Sequence, residues 1–190
     1  MAASARVILR EWREADREDF AAMNADPAVM RHFPAMLSRA ESDALLDRIQ
    51  AHHATHGFGV WAVEADGALA GMCGLLRVAF EAPFTPAVEI AWRLRPAFQR
   101  RGLAAAAARQ ALAEGFGRLG LERIVAFTVP ANEPSWRLME RLGMRRGGCF
   151  GHPRLPADHP LHAHVWYVLD RQDWLAQGGA PAVSRPPRGH

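Results

Sequence analysis

The chain has 190 residues, of which 49% are hydrophobic and 23% charged, and its formal net charge is +3 at pH 7. This length fits one domain with a sizeable core, and the composition is that of an ordinary globular protein. No run approaches the ~20 apolar residues of a membrane span, and the first residues lack the apolar segment of a secretory signal. Cys73 and Cys149 have no spacing typical of metal ligands. We therefore expect a cytoplasmic protein with reduced thiols.

All 23 basic residues are arginine. Together with high Ala, Gly and Pro content, this is typical of a GC-rich bacterial genome. The arginines are spread along the chain and form no stripe with interleaved aromatic residues, which disfavours nucleic-acid binding. A guanidinium is always charged and suits bidentate contact with phosphate. The composition therefore favours anionic ligands.

The first third of the chain predicts one strand and three helices. Alternation of apolar residues predicts a strand over 6–12. Helical spacing over 14–33 is divided by a proline into two short helices. The third helix begins at Ser38, which stands in capping-box spacing with Glu41, and it ends at Gly57.

The middle of the chain predicts three strands and a helix. The strands over 59–66 and 68–80 are joined at Asp66-Gly67, a dipeptide typical of a tight hairpin turn. The third strand covers 87–94 and leads into an alanine-rich helix over 103–118.

The last third predicts a strand over 123–129, a helix over 133–143 and a late strand over 162–170. Residues 1–175 are therefore expected to form one mixed α/β domain with a partly antiparallel sheet. The Pro/Gly-rich residues 176–190 show no apolar period and predict a flexible tail.

The corner between the 87–94 strand and the alanine-rich helix reads QRRGLA. A helix N-terminus presents free N–H groups and a partial positive charge, which suit an anion. Gly102 lets the backbone approach a phosphate without an intervening Cβ. Taken alone, the corner is better explained as a solvated turn, because charged turns are common.

Two motifs in order point to one family. Gln99 to Ala104 matches [Q/R]-x-x-G-x-[G/A], and NEPSWRLMERLGM, at 132–144, matches N-x-x-S-x-x-[hydrophobic]-x-x-x-x-G-[F/M]. The strand before the first motif ends in EIAWRL, at 89–94. Over residues 6–174 the sequence resembles the GNAT superfamily of acyl-CoA-dependent N-acyltransferases, and its RimJ/RimL-like branch in particular.

The resemblance implies a GNAT-type fold, with a splayed and mostly antiparallel sheet of about six to seven strands flanked by about four helices. It also implies acetyl-CoA as the cosubstrate, no metal, and direct transfer of the acetyl group to a primary amine in a ternary complex. The amine of a protein or peptide N-terminus is one acceptor. A small-molecule amine of a metabolite or antibiotic, or a non-catalytic acyl-CoA-binding module, stays open as an alternative. No membrane partner is expected, and a homodimer is left open.

The resemblance also assigns cofactor contacts. The backbone amides of residues 100–104 would bind the pyrophosphate of coenzyme A, with a charged contact from one of two arginines, and the preceding strand would pair with the pantetheine arm. The implied cofactor-binding residues are Trp92, Leu94, Gln99, Arg100, Arg101, Gly102, Leu103, Ala104, Asn132 and Ser135.

Glu89 is the candidate general base, because a base must take a proton from the acceptor ammonium. It could instead pair with Arg93 on the same face of the strand, or hold a backbone group. Ser135 is the candidate proton donor to the leaving thiolate, and Asn132 is also a good helix N-cap. Many family members place a tyrosine further along this helix, which here has none.

Three residues are candidates for contact with the acceptor. Phe33 and Trp61, together with the loop 150–162, would form the wall of the acceptor site, and Tyr167 is the only tyrosine of the chain. His162 and His164 stand as H-x-H, but no recognisable third ligand accompanies them, so we expect packing or pocket lining there.

Overall fold

The computed structural model describes residues 7–179. Seven strands and six α-helices follow one another in this range: β1 (Val7–Arg10), α1 (Asp16–Asn24), α2 (Pro27–Met30), α3 (Arg39–His56), β2 (Val60–Ala65), β3 (Ala68–Arg77), β4 (Val88–Leu94), α4 (Leu103–Phe116), β5 (Arg123–Thr128), α5 (Glu133–Arg141), β6 (Arg145–Gly151), β7 (Ala163–Asp170) and α6 (Arg171–Ala176). A short 3₁₀ turn, Pro96–Phe98, follows β4. No helix in residues 7–179 is long and apolar enough to cross a membrane.

The strands form one sheet in the order β1-β2-β3-β4-β5-β7-β6. Every neighbouring pair is antiparallel except β4 and β5, which are parallel. Of the six helices in the described range, α1, α3, α4 and α5 have nine residues or more, whereas α2 and α6 have four and six. The predicted mixed α/β fold, with its mostly antiparallel sheet, is confirmed.

The boundaries of α3 show how local sequence fixes an element. The Ser38 side chain accepts a hydrogen bond from the Glu41 N–H, and the Glu41 carboxylate accepts one from the Ser38 N–H at 2.8 Å. The helix ends at Gly57, whose φ of +71° suits a left-handed C-terminal cap. The predicted capping box is therefore confirmed.

β4 and β5 diverge from a single point of contact. β4 pairs with β3 along its whole length, from Val88 to Leu94. With β5 it shares one residue pair, Glu89 with Val125. Beyond Glu89 the backbone edge of β4 that faces β5 is therefore free, as the splayed sheet of the sequence prediction requires.

Helices cover both faces of the sheet. The core on the α1–α3 face includes Leu46 of α3 and Met72 of β3. The core on the α4–α6 face includes Leu112 of α4 and Ile124 of β5. Side chains alternate along a strand, so the helices that bound each face decide what each β4 side chain meets.

Two elements have no counterpart in the sequence prediction. β6 contains three glycines, but it pairs with β7 along its length, and the Trp166 ring lies so close that a Cβ on Gly147 would stand 2.4 Å from it. α6 is six residues long and buries Trp174. The predicted tail overlaps the end of α6 at Ala176, and from residue 180 onward it lies outside the described residues.

Candidate active site

The turn between β4 and α4 carries a run of free backbone donors. Within the described residues, the N–H groups of 100–105 donate no hydrogen bond, whereas a helix start alone leaves about four of them free. Positive φ angles at Arg100 (+58°) and Gly102 (+76°) turn the chain into α4. Consecutive free N–H groups at the positive end of a helix dipole form an anion site.

Gly102 is required for its backbone conformation and leaves room beside it. It is the N-cap residue of α4 in the left-handed region, which L-residues with a side chain rarely adopt. A Cβ placed on it would meet no heavy atom within 4 Å. The space beside the free N–H groups is therefore large enough for a ligand to approach the backbone closely.

The polar side chains of this turn have different partners. Arg101 pairs with Asp66 at the β2–β3 hairpin, and Gln99 donates through Nε2 to the Leu94 carbonyl at 3.0 Å. Arg100 is exposed and forms no ion pair with any residue in 7–179. Of the two arginines considered for phosphate contact, Arg100 is thus the one whose guanidinium is not already engaged.

The free edge of β4 presents the backbone groups of Trp92 and Leu94. The Arg95 N–H donates to the Ala70 carbonyl of β3 at 2.9 Å, so the backbone groups of Arg95 point towards β3. Because these directions alternate along a strand, Trp92 and Leu94 point the other way, towards β5. There β5 has diverged. The Trp92 backbone and the Leu94 N–H have no strand partner on that side, so an extended ligand can form hydrogen bonds with them, whereas the Leu94 carbonyl already accepts from Gln99.

Glu89 lies where the free edge begins. It is half-buried, and its carboxylate forms no hydrogen bond or ion pair with a residue in 7–179. Burial raises the pKa of Glu89 to about 7, although the nearby Arg154 guanidinium opposes the effect. The pair with Arg93 that the sequence allowed is not formed, because Arg93 donates to Asn24 instead. A carboxyl that titrates near neutral pH is suited to general base catalysis.

Asn132 and Ser135 lie at the start of α5, the helix that follows β5. Asn132 is the N-cap residue, but its side chain makes no capping hydrogen bond, so the sequence interpretation of a side-chain cap is wrong. Its Nδ2 donates to the Thr128 hydroxyl at the end of β5, at 2.9 Å. Ser135 is half-buried, and its hydroxyl has no hydrogen-bond partner among the described residues.

The candidate acceptor residues do not all come together. Phe33 lies on the Glu89 face of the sheet, since the Arg93 guanidinium stacks over its ring at 4.1 Å. Trp61 pairs with Cys73 of β3, which belongs to the core on the α4–α6 face. Paired residues share a face, so the sheet separates Trp61 from Glu89.

Tyr167 also lies away from Glu89. It is buried in the core on the α4–α6 face, and its hydroxyl donates to Glu140 of α5 at 3.1 Å. Burial first and the Glu140 carboxylate second raise the pKa of Tyr167. In this position its side chain supports α5, the helix that carries Ser135.

A cluster of aromatic rings, all half-buried except the buried Phe150, lies on the Glu89 face, next to the bridge between β4 and β5. Phe127 stands two residues beyond Val125, the partner of Glu89, and contacts Phe80 and Phe84 with ring centroids 5.7 Å away. The cluster comprises Phe80, Phe84, Phe127, Phe150, His152, His164 and Trp166, and none of these belongs to either hydrophobic core. The sequence analysis included the loop 150–162, and with it Phe150, in the acceptor wall, but it missed Phe80, Phe84 and Phe127, which follow no period.

The histidines of this region contact backbone carbonyls. The Nδ1 atom of His162 lies 3.1 Å from the Leu155 carbonyl, and that of His164 lies 3.2 Å from the His162 carbonyl. In residues 7–179 no group of three or more His, Cys, Asp or Glu side chains is placed to hold a metal ion.

The arrangement agrees with comparisons to known proteins. A family model described as an acetyltransferase (GNAT) domain matches residues 6–145. The chain belongs to the GNAT acetyltransferase family. This GNAT acetyltransferase is 28% identical over 171 residues to YnaD of Bacillus subtilis, named an uncharacterised N-acetyltransferase, with 89% of this chain and 96% of that protein covered. The family predicted from the two motifs is confirmed.

Solved structures of other acetyltransferases share the fold. A spermidine N-acetyltransferase from Vibrio cholerae, in complex with CoA and spermine, superposes with a TM-score of 0.72 at 18% identity, covering 89% of this chain and 98% of that one. RimJ from Mycobacterium smegmatis, in complex with CoA-disulfide, superposes with a TM-score of 0.69 at 21% identity, covering 93% and 91%. At these identities the likeness concerns the fold of this GNAT acetyltransferase.

Proposed function

We propose that this GNAT acetyltransferase transfers the acetyl group of acetyl-CoA to a primary amine by direct attack in a ternary complex. One observation carries the proposal: the free N–H groups of 100–105 lead into the free edge of β4, which leads to Glu89. A linear ligand with an anionic end, an amide-bearing arm and a reactive end fits this path in that order.

Acetyl-CoA, when bound, supplies the thioester that the amine attacks. The N–H groups of 100–105 hold its pyrophosphate, and Arg100 adds a charge-assisted contact. The backbones of Trp92 and Leu94 pair with the amide groups of the arm. Asn132, oriented by its hydrogen bond to Thr128, contacts the same arm from the opposite side.

Glu89 and Ser135 carry the proton transfers. An ammonium is not a nucleophile, and Glu89, with a pKa raised to about 7, takes the proton directly or through one water. The Ser135 hydroxyl donates to the leaving sulfur.

The acceptor approaches on the Glu89 face, between Phe33 and the aromatic cluster. Two cationic groups, Arg93 and Arg154, lie on this face near Glu89, and the Asp19 carboxylate on the same face is already paired with Arg95. A polyamine needs several carboxylates, so this lining disfavours one. The primary amine is therefore that of a peptide N-terminus or of a small molecule with one amino group. The free Ser135 hydroxyl and a Glu89 that titrates near neutral pH argue against a non-catalytic module.

The proposal is tested by the thiol that acetyl-CoA releases in the presence of a panel of amines. The panel holds short peptides of varied N-terminal residue, free amino acids, aminoglycosides and spermidine. Because the chain has no lysine, self-acetylation is confined to its α-amine and the background is low. Glu89→Gln should lower kcat about 10²- to 10⁴-fold and leave the Kd of acetyl-CoA unchanged. Tight acetyl-CoA binding with no release for any amine would favour the non-catalytic module.

A further inference from the structure

Arg93 is a cation at a largely buried position with no carboxylate beside it. One Nη1 hydrogen bond reaches Asn24 Oδ1, and Asn24 in turn donates through Nδ2 to the Ser42 hydroxyl at 2.9 Å. The Arg93 Nε atom is fully buried and has no partner. No Asp or Glu in residues 7–179 forms an ion pair with this guanidinium.

The arginine two positions further on has the partners that Arg93 lacks. Arg95 pairs with Asp19 at 2.9 Å and donates to the Leu69 carbonyl at 2.9 Å. A buried guanidinium without a counterion costs free energy, and burial lowers the pKa of Arg93 to about 10. The residues that contact or pair with Arg93 are neutral: Asn24, Phe33, and Met72, which is opposite Arg93 in the β3–β4 register.

The position of Arg93 places it beside the acceptor. It occupies the Glu89 face of β4, under the Phe33 ring, which is 37% exposed. The free N–H groups of 100–105 belong to the start of α4, on the opposite face of the sheet. Glu89 and Arg93 are four residues apart, so their Cα atoms are separated by about 13 Å. One molecule can therefore place an amine at Glu89 and an anionic group at Arg93.

We propose that Arg93 is an anion-binding subsite for the acceptor, and that the preferred acceptor is a primary amine whose body carries a carboxylate. The carboxylate supplies the counterion that the protein does not. This inference rests on the proposed function, because it places the amine of the same molecule at Glu89.

Matched pairs of amines test the subsite. Each pair consists of an acid and its carboxamide, which differ in charge and hardly in shape: para-(aminomethyl)benzoate with para-(aminomethyl)benzamide, and δ-aminovalerate with δ-aminovaleramide. Thiol release gives kcat/KM for each compound. The wild type should prefer the acid over its amide by about tenfold to a hundredfold, as expected for a charge-assisted hydrogen bond, and the difference should lie mainly in KM.

Two variants remove the subsite in different ways. Asn24→Asp supplies a counterion from within the protein, so the acid and the amide should react equally while the fold keeps its packing. Arg93→Met removes the charge and should give the same equality. Arg95→Met is the control, since Arg95 already has Asp19 as its partner, and it should keep the preference for the acid.

The outcomes separate the subsite from the proposed function. If amines react but acids and amides do so equally in the wild type, or if the preference persists in Asn24→Asp, the subsite is refuted and the proposed function stands. If no amine reacts, the proposed function fails. Calorimetric titration of para-(aminomethyl)benzoate and its amide into the protein with coenzyme A then decides the subsite: binding of the acid alone, lost in Asn24→Asp, supports it, and equal or absent binding refutes it.

Discussion

Replacing Glu89 by glutamine should stabilise the fold at alkaline pH. Burial raises the pKa of Glu89 from its ordinary value of 4.5 to about 7, so folding disfavours the ionised carboxylate. The unfolded state therefore binds fewer protons than the folded state between these two values, and stability falls as the pH rises through this window. Each pKa unit is worth about 1.36 kcal/mol, so the full penalty above neutral pH is about 3 kcal/mol. Glutamine keeps the shape of the side chain and never ionises.

The assay is urea unfolding of the wild type and Glu89→Gln at about pH 5 and about pH 8, without ligand. Between these conditions the stability advantage of the variant should grow by about 2.5 kcal/mol. Glu81→Gln is the matched control, since Glu81 is exposed and its replacement should leave the unfolding free energy unchanged at both. A stability difference between Glu89→Gln and the wild type that is the same at both pH values would refute the account of Glu89 as a desolvated carboxyl.

The remaining predictions concern the ligand path. Gly102→Ala and Gly57→Ala should each lower the unfolding free energy by about 1 kcal/mol, because both glycines have positive φ and open space beside them. Calorimetry should show weaker coenzyme A binding for Gly102→Ala alone. Equal weakening in both variants would contradict the role of Gly102 in phosphate binding. Thr128→Val should raise the Kd of coenzyme A severalfold by releasing the Asn132 amide, worth about 1 kcal/mol, whereas Thr128→Ser should bind as the wild type does. Arg154→Met should move the acid limb of the kcat/KM profile to higher pH, because Arg154 lowers the pKa of the proposed base. An acid limb at the same pH in the variant would show that this base does not control it.

Local signals in the sequence were sufficient for most of the fold. The capping box at Ser38 and the Asp66-Gly67 turn place α3 and the β2–β3 hairpin, because each depends on residues adjacent in sequence. β6 could not be predicted in this way. Its glycine-rich sequence has no strand propensity. The β7 residues that pair with it, and the Trp166 ring that packs against Gly147, are distant in sequence.

The candidate site likewise has parts that local sequence predicts and parts that it does not. The corner at 99–104 and Glu89 lie in continuous motifs, so the sequence alone was sufficient to propose them as site residues. The hydrogen bond between Arg93 and Asn24 joins residues 69 positions apart, and no local pattern predicts it. The sequence could not show which face of the sheet the Trp61 side chain occupies relative to Glu89, because this depends on which helices pack on each face.

The single bridge between Glu89 and Val125 has a mechanical consequence. Four strands, β1 to β4, lie on one side of it, and three, β5 to β7, lie on the other. Helix α4 packs against both groups of strands, since it contacts β1, β3 and β4 on one side of the bridge and β5 on the other. A ligand that forms hydrogen bonds along the free edge of β4 would connect the two groups of strands. Amide hydrogen exchange at Trp92 and Leu94 should then slow when coenzyme A is added. The bound donor would thereby contribute to the stability of the sheet itself.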